Sequence, residues 1–266
     1  QLEVLESEKE KEIYHAKIDF FTNIAHEIRT PLTLIKGPLE NILKKEEINT
    51  HLLKDNLSIM ERNTMRLLDL TNQLLDFRKT EAQGFQLNFM ICDISQLIKD
   101  TYIRFDPAAK QNDLTFKIEL PEQNFNAAVD KEALTKILSN LFNNAVKYAK
   151  SYIHVSLHAP TDEQNDFFSI TVSNDGLPIP LEMKEKIFEP FVQIKNVSNG
   201  QPKTGTGIGL PLARSLTELH RGKLYLKDSD DICFCIELPI KQEKTILLQK
   251  TEIEKPVNTP TVIRQH

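Results

Sequence analysis

Cysteine is scarce in this chain of 266 residues: it has three, Cys92, Cys233 and Cys235. An odd count without ligand-like spacing argues against a disulfide framework or a structural metal site. Cys233 and Cys235 alternate with Phe234 and so share one face of a strand, as buried, reduced thiols. No apolar run approaches the ~18 residues of a membrane span, and no signal peptide is present. An excess of basic charge is missing too. The formal net charge is −5, which excludes the electrostatic footprint of a nucleic-acid binder. What remains is ordinary for a folded chain, with 40% apolar and 27% charged residues. The length accommodates two domains. Because it starts at Gln1, the chain is expected to be a fragment of something longer.

The first 82 residues read as two long helices, about Leu5–Lys45 and Thr50–Thr80. In the first, Ile18, Phe21, Ala25, Ile28, Leu32, Ile35, Leu39 and Ile42 recur at spacings of 3 and 4, a seven-residue repeat. In the second, Leu53, Leu57, Met60, Thr64, Leu67, Thr71 and Leu74 do the same. Two helices with one seam each cannot bury that surface alone, so a homodimeric four-helix bundle is expected. The charged run "EVLESEKEKE" (3–12) reads as a solvated continuation of the first helix. Residues 83–88, with Gly84 as breaker, read as a linker. From 89 to 242 strand-like runs ("FQLNFMI", "LTFKIEL", "YIHVSLH", "FFSITVS", "KLYLKD", "CFCIELPI") mix with helical runs near 94–109, 131–149 and 207–220. That mixture indicates an α+β sandwich, one sheet with helices on one face. Residues 243–266 read as a polar tail or linker.

His26 lies beside the first seam and is followed by Glu27, Arg29, Thr30 and Pro31. A lone helical histidine is ordinarily a surface or packing residue. Its neighbours alter that reading. Glu27 supplies a carboxylate able to orient the imidazole and hold its proton on one nitrogen. Pro31 lacks an N–H and crowds the Glu27 carbonyl, predicting a kink or weakened turn just after the histidine.

Two further constellations suit a nucleotide. "LSNLFNNAVKYAK" (138–150) puts Asn140 and Asn144 at i and i+4 on one helical face, followed by Lys147 and Tyr148. Helix interiors disfavour Asn, so two on one face suggest amide oxygens that meet a hard cation and phosphates. "KTGTGIGLPLARSL" (203–216) places Gly205, Gly207 and Gly209 just before a helix starting near Leu210. Glycines let backbone N–H groups approach phosphate oxygens, and the helix N-terminus adds positive potential. The stretch before it, "VSNGQPKTG", reads as a mobile lid.

"HEIRTPLT" closely resembles the phosphoacceptor box of sensor histidine kinases of two-component systems, and the likeness extends along nearly the whole chain. "LSNLFNNAVKYAK" resembles their N box. "IFEPFVQ", with Phe188 and Phe191, resembles the short phenylalanine box, and "KTGTGIGLPL" the second glycine box of the gyrase-type ATP-binding fold. The resemblance implies an ATP- and Mg²⁺-dependent autokinase in which His26 accepts the γ-phosphate. Glu27 then assists as acid or base, and Thr30 serves the reverse, phosphatase chemistry. It implies Asn144 as the Mg²⁺ ligand, with Asn140, Lys147, Tyr148, Gly205, Thr206, Gly207, Gly209 and Leu210 around the nucleotide. A homodimer and an aspartate of a response-regulator receiver domain follow as partners. The details of the phosphoacceptor box and the "NDG" segment are most similar to the kinase core of Bacteroides-type hybrid sensors. Those sensors have a membrane span upstream and a receiver downstream, so the chain is expected to be the cytoplasmic portion of an inner-membrane protein.

One box departs from the family pattern Asp-x-Gly-x-Gly. "SNDGLPIP" aligned on Gly176 puts Asn174 where the adenine-reading Asp belongs and Pro178 where the second Gly belongs. Asn174 is still an acceptor through its side-chain oxygen, but a neutral one. A one-residue shift that brings Asp175 into the pocket is the alternative. At the level of function, a non-catalytic or phosphatase-dominant relay is the alternative that Asn174 and Pro178 motivate.

Overall fold

The computed structural model describes residues 2–44, 49–81, 86–160, 166–190, 192–194 and 206–242. Helix α1 spans Leu2–Lys44 and helix α2 spans Thr50–Glu81, and the two pack on each other. Helix α1 continues through Pro31, the proline that predicts a kink or weakened turn after His26, and through Pro38. A proline removes one hydrogen bond but leaves the flanking turns to carry the helix.

The covered stripe of α2 is not quite the one the heptads suggest. Leu53, Asn56, Met60, Asn63, Leu67, Leu70, Leu74 and Phe77 are buried or half-buried. Leu57, Thr64 and Thr71 face outward. On α1 the row Ile28, Ile35, Ile42 is half-buried, whereas Ala25, Leu32 and Leu39 are exposed, Leu32 by 54%. Each seam therefore divides into a row that closes the hairpin and a row left open. Leu68 and Leu75 extend the open surface on α2.

The second part begins with β1 (Met90–Asp93) and α3 (Ile94–Gln111), then β2 (Thr115–Glu119) and β3 (Asn126–Val129). Helix α4 (Lys131–Tyr148), β4 (Tyr152–His158) and β5 (Phe167–Asn174) follow. After two short 3₁₀ turns, Leu181–Met183 and Lys186–Phe188, come α5 (Gly209–Leu219), β6 (Lys223–Lys227) and β7 (Ile232–Pro239). Five strands form one sheet in the order β2-β4-β5-β7-β6, with β2 and β4 parallel and the rest antiparallel. Strands β1 and β3 form a separate antiparallel pair, Met90 opposite Val129. β3 escapes sequence reading because "NAAV" is four residues long and carries little β-branched or aromatic signal.

Strand alternation sends Ile153, Val155, Phe168, Ile170, Val172, Phe234 and Ile236 into one core with Leu134, Ile137, Leu138, Leu141 and Phe142 of α4. Ile98 of α3 and Leu212 and Leu216 of α5 complete that layer. Tyr102, Phe116, Phe142 and Phe105 stack edge-to-face in series, with centroids 5.0 to 5.8 Å apart. The opposite sheet face carries Lys117, His154, Thr171, Ser173 and Tyr225, together with Cys233 and Cys235. Both of those cysteines are free and buried, and burial pushes their thiols up. Asp93 and Asp130 cap α3 and α4 by accepting the N–H groups of Gln96 and Ala133. These elements set the directions in which α4 and α5 project their polar faces.

Candidate functional site

His26 is exposed on α1, and among the described residues its ring makes no hydrogen bond. Its carbonyl accepts a bond from Thr30 Oγ1 at 3.2 Å. Glu27 does not orient the imidazole in this conformation, contrary to expectation. Its Oε2 accepts from Arg66 Nη2 of α2 at 3.3 Å, with the Glu27 side chain only 18% exposed. Successive residues on a helix do not face each other. The carboxylate beside the exposed histidine therefore points across to α2. Arg66 is 39 residues away, so no local pattern announces it.

The residues expected around a nucleotide converge on α4. Asn140 Nδ2 donates to the Lys136 carbonyl at 3.0 Å. Its Oδ1 turns to the start of α5, where a methyl on Gly209 would stand 3.0 Å from it. At the other end of α4, a methyl on Gly176 would lie 2.8 Å from the Tyr148 carbonyl, so only glycine allows this approach. The segments around 140–148, 174–176 and 206–210 thus meet along one helix, although up to 70 residues separate them in sequence. Asn144 is half-buried, and among the described residues its amide has no hydrogen bond. Lys147 Nζ lies 4.8 Å from the Tyr148 ring centroid. Gly207 takes a positive φ of 66°. Thr206 Oγ1 accepts the Ile208 N–H at 3.3 Å, and Leu210 follows in the first turn of α5. Gly205, Phe191 and the lid expected at 197–205 lie outside the described residues, as do residues 83–85 of the linker and the whole tail 243–266. Phe188 is buried, packing edge-on to Phe234 at 6.2 Å.

The divergent box divides its two polar residues. Asn174 is 3% exposed, and its amide has no hydrogen bond among the described residues. Asp175 points to the turn between α4 and β4. There its carboxylate accepts the N–H groups of Lys150, Ser151 and Tyr152 and the Ser151 hydroxyl, at 2.5 to 3.2 Å. Burial works against the charge, but these donors outweigh it and hold the Asp175 carboxyl well below the usual range. In this structure the shifted alternative, Asp175 in the pocket, is therefore not adopted.

A second polar junction lies behind the site. Asp130 N–H donates to His220 Nε2 at 3.2 Å, and His220 Nδ1 bonds the Leu216 carbonyl at 2.7 Å. The Asp130 carboxylate also accepts the Asn88 N–H at 2.8 Å, tying the linker's end to α4. The fully buried imidazole is thus a neutral tautomer with both nitrogens used, and burial pushes its pKa down.

Among the described residues no group of three or more His, Cys, Asp or Glu side chains could hold a metal. Asn144 offers one neutral amide oxygen as a donor. That suits a hard cation which keeps most of its shell from water and phosphates. No described helix is long and apolar enough to cross a membrane.

Residues 16–83 match the family described as His Kinase A (phospho-acceptor) domain. Residues 129–242 match Histidine kinase-, DNA gyrase B-, and HSP90-like ATPase. Histidine kinase P4 of Formosa agariphila is 35% identical over 243 residues, 90% of this chain and 18% of that protein. Sensor histidine kinase TmoS of Ectopseudomonas mendocina is 34% identical over 261 residues, 96% of this chain and 26% of that protein. The chain thus spans about a quarter or less of these relatives. The solved structure of histidine kinase ThkA in complex with response regulator protein TrrA shares the fold, with a TM-score of 0.63 and 24% identity, covering 88% of this chain and 64% of that one. With both domains matched in order, the chain belongs to the sensor histidine kinases of two-component systems.

Proposed function

We propose that this chain is the ATP-dependent autokinase core of a two-component sensor, with His26 as phosphoacceptor. The observation that carries the reading is the pairing, in one chain, of an exposed and unengaged imidazole on a hairpin with an Asn- and Gly-lined cradle along α4. Asn174 reads the adenine amine as a neutral acceptor. The N–H groups from Thr206 to Leu210 and the start of α5 meet the phosphates. Lys147 and Tyr148 lie at the ribose and phosphate side. When bound, Mg²⁺ neutralises phosphate charge, and Asn144 is the side chain that would hold it.

A nitrogen of His26 attacks the γ-phosphorus in line, and the bond to the bridging oxygen of the departing ADP breaks. The ring N–H proton passes to Glu27, which must leave Arg66 to receive it. Positioning and charge stabilisation supply most of the rate. Thr30, one turn on, assists the opposing phosphatase reaction, in which water attacks the phosphoryl group on the receiver aspartate and releases inorganic phosphate.

The open apolar rows on α1 and α2 favour a second copy of the chain as partner, completing a four-helix bundle. The phosphoryl group then passes to an aspartate of a receiver domain, which we place in the same full-length protein, beyond residue 266. The relatives P4 and TmoS are several times longer than this chain, which leaves room for such a domain and for an upstream membrane sensor.

The test is incubation with γ-labelled ATP and Mg²⁺. Acid-labile, base-stable label is expected on the parent chain and absent from His26→Gln and Asn144→Ala. Label that persists in His26→Gln would remove the assignment.

A further inference from the structure

Asn174 lies in an otherwise apolar row across the sheet. Its register partners are Ile153 of β4 and Ile232 of β7. Asn174 is 3% exposed, and among the described residues its amide neither donates nor accepts a hydrogen bond. Buried polar groups in folded chains are normally paired, so an unpaired one points to a ligand that completes it. Asn174 Nδ2 stands 3.2 Å from where a methyl on Gly176 would sit, which puts the amide beside that glycine at the end of α4.

The two carboxylates beside this row are engaged elsewhere. Asp175 accepts the N–H groups of Lys150, Ser151 and Tyr152 and the Ser151 hydroxyl. Asp231 accepts the Tyr152 hydroxyl. Each is the chain neighbour of a row residue, and successive strand residues face opposite sides of a sheet. The polar group left on the inner side is therefore neutral. It is also two-faced, because an amide carries an acceptor oxygen and a donor NH₂. A half-turn of the group exchanges them, and no described partner of Asn174 fixes its sense. With Oδ1 turned to the base, Asn174 accepts from the 6-amino group of adenine. With Nδ2 turned to it, Asn174 donates to the 6-oxygen of guanine. An ionised carboxylate in that place would only accept, and would set its lone pairs against the guanine oxygen.

We propose that this site takes both purine nucleoside triphosphates, that Asn174 is the residue that relaxes the choice of base, and that GTP is a second phosphoryl donor to His26. The proposal rests on the reading of Asn174 as the base contact and His26 as acceptor. The step is the one written for ATP. A nitrogen of His26 bonds the γ-phosphorus, the bond to the bridging oxygen breaks, GDP leaves, and the ring N–H proton passes to Glu27. Ribose and triphosphate are common to the two nucleotides, so Asn144, Lys147 and the turn at Gly209 treat them alike. Discrimination falls on the base. The 2-amino group of guanine has no counterpart in adenine, so GTP is expected within about ten-fold of ATP and below it.

The experiment measures the affinity of ATP, GTP and CTP by calorimetry with Mg²⁺, and the initial rate of labelling from γ-labelled ATP and GTP. The chains are the parent, Asn174→Asp, Asn174→Leu and His26→Gln, each with a melting curve. The parent is expected to bind GTP and to label from it within about ten-fold of ATP, with the label absent from His26→Gln. Asn174→Asp should widen the gap between ATP and GTP to about a hundred-fold or more. Asn174→Leu, which buries no charge, should weaken both purine nucleotides and leave their ratio near that of the parent. A folding defect alone would lower ATP and GTP by the same factor in Asn174→Asp as well, and would overturn the assignment. GTP about a hundred-fold below ATP in the parent, with ATP labelling His26, overturns dual base use and leaves the autokinase reading in place. GTP bound no tighter than CTP would put its affinity in the triphosphate and likewise overturn the proposal. The expected binding ratios with no label from either nucleotide keep the base reading and remove phosphoryl transfer from both.

Discussion

Asn174→Asp separates stability from recognition at the most divergent position of the site. Asn174 is 3% exposed, flanked on the sheet by Ile153 and Ile232, and its amide has no hydrogen bond among the described residues. A carboxylate there keeps little of its water and gains no partner among the described residues, at a cost of about 1–3 kcal/mol after part of it protonates. For a chain of this size that lowers Tm by about 3–10 °C in the absence of nucleotide. With ATP the sign reverses. A charged acceptor facing the adenine amine makes a hydrogen bond about 1 kcal/mol stronger than a neutral amide does. ATP should therefore bind about five-fold tighter, and saturating ATP should recover part of the lost Tm. GTP presents an oxygen where ATP has the amine, so its affinity should fall. Calorimetry with both nucleotides and melting curves with and without ATP measure all four quantities. Equal changes for ATP and GTP, or an unchanged ATP affinity, would refute Asn174 as the adenine contact.

Two further predictions concern pH. Asp175 is held ionised in the folded chain, so its contribution is complete above the unfolded value of about 3.9 and is lost as pH falls below it. Asp175→Asn should cost about 1–2 kcal/mol in urea unfolding at pH 7, the scale of a lost cap, and should flatten the acid limb below pH 4. His220 is buried neutral with its pKa lowered, so the unfolded chain binds more protons wherever the two states differ. Native stability should fall as pH drops below about 6.5, by up to about 1.4 kcal/mol per pH unit. His220→Gln should be less stable at pH 8 yet show a shallower slope between pH 6.5 and 5. A parallel slope in the variant would place the effect elsewhere.

Helices α1 and α2 were legible because heptads are local: every residue of a seam is visible within a short window. The boundaries of α3, α4 and α5 were close for the same reason, as were β4 and β5, whose alternation is clear. β1 was expected at 85–91 and lies at Met90–Asp93, since its pairing with β3 and not its own composition sets its limits. The site motifs were legible because glycine and asparagine in unfavourable places need a reason. Their mutual placement was not. That Asn140 meets Gly209 and Tyr148 meets Gly176 depends on how α4 lies on the sheet.

By itself, then, the sequence determined the two-part architecture, carried by short-range pattern, and singled out His26 and the Asn- and Gly-rich segments as candidates, whose roles come from the family resemblance. Only the tertiary structure decided which row of each seam closes the hairpin. It also turned Asp175 to the α4–β4 turn and left Asn174 buried, since the direction of a side chain follows from the strand's register. It alone joined Glu27 to Arg66, Gln73 to Thr206 and Asp76 to Lys136. Those partners are 39 to 133 residues apart. Their meeting is set by the packing of whole helices on one another, which no local window of sequence contains.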